Sequence, residues 1–67
     1  MNNELFYLKL QQTKSTLEAL SANYRDVSFR KELNMDILQI LETLTDQSLK
    51  ELKDIKKEIV ERMKEEN

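Results

Sequence analysis

The side chains of this 67-residue chain that could do chemistry are carboxylates, ammonium and guanidinium groups, hydroxyls and two tyrosines. It has no His and no Cys. Imidazole and thiolate are the usual general bases, nucleophiles and soft metal ligands. The carboxylates that remain suit Ca²⁺ or Mg²⁺ rather than Zn²⁺. Asp36, Glu42, Asp46 and Glu51 lack the oxygen spacing and central Gly of a calcium loop. With no Gly anywhere, no Gly-rich turn can cradle a phosphate. Tyr24 falls on an apolar helical stripe, where a core aromatic with its hydroxyl reaching the surface is expected; a catalytic Tyr would need a neighbouring base in a cleft. A chain this short has little room for a deep pocket. The residue types therefore point away from catalysis, and no cofactor or metal is expected.

The remaining chemistry is recognition. At about 100° per residue, Lys50, Lys53, Lys57 and Lys64 line one flank of a C-terminal helix, and Glu51, Asp54, Glu58 and Glu65 line the other. Glu61 interrupts the basic row, and Arg62 lies beside the acidic one. Unlike charges flanking an apolar stripe favour one orientation of helix pairing, or steer a protein partner. The alternative is a basic ridge that meets the phosphates of a nucleic acid. The formal net charge of −2 counts against that, and no aromatic or amide row accompanies the lysines to read bases. Lys56 projects near the middle of the apolar arc. Its stem can cover the core while the ammonium reaches water, or it can mark a seam against another chain. Leu5, Phe6, Tyr7 and Leu8 form a continuous apolar run that one small core cannot absorb. Either these turns close one end of a bundle, or Leu5, Tyr7 and Leu8 expose a patch for a partner or a second copy. Met35 could extend a second patch.

These residues need helices to position them. The chain lacks Gly and Pro, the usual breakers of regular structure. Phe6, Leu10, Thr13, Leu17, Leu20, Tyr24 and Val27 recur at alternating spacings of four and three, a heptad seam with Thr13 its one polar member. Continued, the seam would bury Lys31 and Asn34. A new stripe, Phe29, Leu33, Ile37, Ile40, Leu41 and Leu44, starts instead. That change of phase predicts a bend across residues 23–28, built from Asn, Asp and Ser, with Asp26 or Ser28 as the following N-cap. A third stripe, Leu49, Leu52, Ile55, Ile59, Val60 and Met63, follows Thr45-Asp46, a good capping sequence; Ser48 with Glu51 offers a capping box one turn later. The last residues, Lys64-Glu65-Glu66-Asn67, have nothing to bury and should fray.

The expectation is a single all-α domain over residues 1–67, a small up-down-up three-helix bundle with helices at about 3–23, 28–44 and 46–64. The rival is a long helical hairpin, nearly continuous over residues 3–44, that dimerises. So short a chain has a marginal core; with no Cys for disulfides, self-association or docking on a partner becomes a natural support. No run of about 18 apolar residues could span a bilayer, and Met1-Asn2-Asn3-Glu4 does not read as a signal peptide. Lack of Cys fits a reducing cytoplasm. Lys outnumbers Arg, as expected of an AT-rich coding source such as a low-GC bacterium, its phage or a plasmid. The function expected is contact with a larger protein, as an adaptor, inhibitor or regulator. The alternatives are a nucleic-acid-binding helical dimer and a structural self-assembly module.

Overall fold

The computed structural model describes residues 3–66, which fold into two helices, α1 (Glu4–Arg30) and α2 (Met35–Glu66), joined by residues 31–34. Among these residues there is no strand. Met1, Asn2 and Asn67, part of the readings of a leaderless start and a fraying end, lie outside the described residues. The helices run antiparallel along each other: Lys9 meets Glu58, and Tyr24 meets Thr45. The result is a rod of 49 × 15 × 15 Å.

The three-helix bundle is therefore overturned, and the all-α class stands. Both expected bends lie inside helices. Ser, Asn and Asp disfavour helix interiors by only a few tenths of a kcal/mol each, far less than Gly or Pro. A long helix absorbs that cost once nucleated. Asn23 shows how: its Nδ2 donates to the Ala19 carbonyl oxygen at 2.8 Å, one turn back on its own helix. Thr45 does not cap a third helix; its hydroxyl meets that of Tyr24 at 3.1 Å. The rival hairpin had the right shape but the wrong turn, which comes at residues 31–34 rather than after residue 44. The helix also continues past Met63 to Glu66.

The turn works without Gly. Lys31 closes α1 in the left-handed region, at φ 55° and ψ 28°, its N–H donating to the Val27 oxygen. Asn34 opens α2: its Oδ1 accepts the Ile37 N–H at 2.9 Å, the N-cap bond that satisfies a free donor of the first turn. Asp36 in that turn and Arg30 at the end of α1 both complement the helix dipoles.

The seam between the helices differs from the apolar stripes. The buried and half-buried positions of α1 are Phe6, Lys9, Thr13, Thr16, Leu20, Asn23 and Val27, with Ala22 beside them. In α2 they are Ile37, Leu41, Leu44, Ser48, Glu51, Ile55, Glu58 and Arg62, with Thr45 beside them. Both rows keep the alternating three and four spacing of antiparallel coiled-coil packing. Small hydroxyl side chains hold the centre: Thr13, Thr16 and Ser48 are buried, and Ile55 is the single buried hydrophobic residue among those described. The open end is clasped by Arg62, whose guanidinium lies 4.3 Å from the Phe6 ring centroid and donates to Asn3 Oδ1.

Candidate functional site

A thin core leaves apolar side chains over. Sixteen large ones are exposed among the described residues, so the question is whether they gather. Those beside the seam do. Leu10, Leu17 and Tyr24 of α1 each follow a seam residue and recur every seven positions. Leu38, Thr45, Leu52 and Ile59 of α2 do the same. Antiparallel pairing brings positions of this kind to one side of the hairpin. The contacts agree. Leu10, Leu17 and Leu52 line one shallow groove with Lys14, Glu18 and Ser21 at its edge. Towards the turn the two rows join through the Tyr24–Thr45 hydroxyl contact. Towards the open end Phe6, Ile59 and Met63 line a second hollow with Arg62. The strip thus runs most of the length of the rod. A further row on α2, Glu42, Leu49, Lys56 and Met63, borders it.

The opposite side carries an ionic cluster towards the open end, with Leu5 and Ile40 also exposed on it. Lys9 Nζ lies 3.1 Å from Glu58 Oε2 and 3.3 Å from Asp54 Oδ2. The Glu58 carboxylate hydrogen-bonded to it, with Asp54 beside, holds the Lys9 ammonium above its usual 10.5. Gln12, Thr13 and Glu51 share the hollow around this cluster. Around Lys9 the hairpin is therefore amphipathic across its width, with the apolar strip on one side and the ionic cluster on the other.

The residues expected to bind a partner are only partly brought together. Leu5, Tyr7 and Leu8 are all exposed. They do not form one patch, because two residues along a helix turn through about 200°. Tyr7 lies on the strip side, its ring 6.5 Å from that of Phe6; Leu5 and Leu8 face elsewhere. Lys56 is exposed and lies on the border of the strip, outside the seam of the hairpin itself. Lys50, Lys53, Lys57 and Lys64 are exposed on α2, about 140–180° round from Ile55, and so point away from α1.

Sequence reasoning missed Lys9, Thr16, Asn23, Ser48, Glu51, Glu58 and Arg62 as seam residues. Their one signal is spacing, since their polarity masks them from any apolar periodicity. Among the described residues no cluster of three or more His, Cys, Asp or Glu could hold a metal ion. No helix among them is long and apolar enough to cross a membrane. Comparison with protein-family models, curated proteins and solved structures finds no match to this chain. What the surface offers chemically is desolvation of a flat apolar strip, with charges at its edge.

Proposed function

We propose that this chain is a non-enzymatic helical hairpin that works by protein–protein contact, as an adaptor, inhibitor or regulator that lays a preformed helical face on another protein. The observation that carries this reading is the continuous strip of Leu10, Leu17, Tyr24, Leu38, Leu52 and Ile59 on one side of the rod, each exposed. Contiguous apolar surface of this kind marks an interaction site, whereas scattered apolar residues do not. Leu5 and Leu8 offer a smaller second surface on another side. The absence of Cys fits work in a reducing compartment such as the cytoplasm.

The test is a paired substitution, Leu17→Asp with Leu52→Asp, in the middle of the strip. Both side chains are already partly in water, so circular dichroism should remain helical. Capture of protein by the immobilised hairpin should fall to background. Undiminished capture by a helical double variant would show that the strip is not the contact surface.

A further inference from the structure

We propose that the occupant of the strip is a second copy of this chain, in a two-fold dimer whose turns lie at opposite ends, giving a four-helix bundle. This rests on the protein-contact reading and names the partner. The chain exposes 5824 Å² at a mass of 8.0 kDa. A compact monomer of that mass exposes about 4,450 Å². The excess, about 1,370 Å² per chain, doubles to about 2,750 Å² across a pair, within the range of obligate homodimers. The radius of gyration, 15.5 Å, also exceeds the roughly 11 Å of a compact chain of this length. Two such rods stacked on their apolar sides restore a conventional bundle cross-section.

Charge selects the orientation. If the turns lay at the same end, α1 would pack on α2 of the second copy. Lys14 of one copy would then lie about level with Lys56 of the other, like charge against like across one border of the interface. With the turns at opposite ends, α2 packs on its own copy about a two-fold near Leu49. The row Glu42, Leu49, Lys56 is spaced evenly by seven. Reversal about Leu49 lays Glu42 against Lys56 of the second copy, Lys56 against its Glu42, and Leu49 against Leu49. On the strip, Leu38 comes beside Ile59 and Thr45 beside Leu52. On α1 the two-fold falls near Ala19, level with Leu49 in the register set by the Lys9–Glu58 and Tyr24–Thr45 contacts. Lys14 keeps its own Glu18, a loose 3.9 Å pair within one chain. The ionic side with Lys9, Asp54 and Glu58 stays outward, as does the row of Lys50, Lys53, Lys57 and Lys64.

Sedimentation equilibrium of the intact chain with charge reversals tests this. Glu42 and Lys56 are exposed, and 14 residues of helix hold them about 21 Å apart in one chain. They can couple only between chains. The native protein should sediment as twice its 8.0 kDa mass. Glu42→Lys alone and Lys56→Glu alone should each weaken the dimer about tenfold. The double reversal should return close to the native affinity. A helical monomer at about 100 µM overturns the proposal; if that monomer still captures another protein through Leu17 and Leu52, the contact reading survives without it. A dimer whose two reversals simply add, without rescue, overturns the opposed-turn arrangement.

Discussion

Ser48 sits at the centre of the seam, 3% exposed, and its hydroxyl has no hydrogen-bond partner among the described residues. A buried hydroxyl without a partner carries a desolvation cost that nothing offsets. Ala fills nearly the same volume and is the better helix former. Ser48→Ala should therefore stabilise the protein by about 1 kcal/mol, read as a higher urea midpoint at unchanged slope. Lys9 makes the opposite kind of statement. Its carboxylate neighbours raise its pKa in the folded state, so folding binds its proton more tightly than the unfolded chain does. That contribution is fully present below pH 10.5 and is lost as pH rises through the raised value. The native protein should lose stability relative to Lys9→Met above pH 10.5, and the two should run parallel between pH 6 and 9. Melting curves across that range check this. In the sequence Lys9 reads only as polar surface and Ser48 only as a capping residue, whereas both lie in the seam inside their helices. Thr13 stands out, because it alone interrupts an otherwise apolar row, and it is buried as expected.

At the scale of the helices, the all-α class was legible because nothing in the chain breaks a helix. The position of the turn was not. The change of apolar phase predicts a bend, whereas the helices tolerate it by pairing along a different, more polar seam. Phe6, Thr13, Leu20 and Val27 belong to both the expected seam and the real one. Lys9, Thr16 and Asn23 replace Leu10, Leu17 and Tyr24, a rotation of one residue. That rotation moves the three best apolar residues of α1 from the core to the strip. The real turn had a signal in Asn34 followed by Met35 and Asp36, a capping residue before an acidic first turn. It competed with two similar signals, at residues 26–28 and 45–46, and nothing local separates the three. What separates them is length: a turn at 31–34 lets two helices of 27 and 32 residues lie side by side over nearly their whole extent. Asn34→Ala removes the N-cap bond and should cost about 1 kcal/mol, seen in thermal unfolding, whereas Ser28→Ala, inside α1, should cost nothing.

As a whole molecule, two helices alone can bury little. Among the described residues, a single buried hydrophobic residue, Ile55, and three buried hydroxyls make a thin core for a chain of this size. The apolar surplus was visible in the sequence at Leu5, Tyr7 and Leu8, but its main concentration was not. The strip exists only once α1 and α2 are antiparallel and in register, so it belongs to the tertiary structure and to neither helix by itself. The hairpin is then half of a stable object, and its stability must depend on how much of the other half is present. Thermal unfolding followed by circular dichroism at about 1 µM and at about 100 µM reads that dependence directly. Mass action over a hundredfold range adds about 2.7 kcal/mol, which for a pair of chains of this length raises the midpoint by about 10 °C. A midpoint that stays the same across that range, with full helicity at both concentrations, would contradict the account.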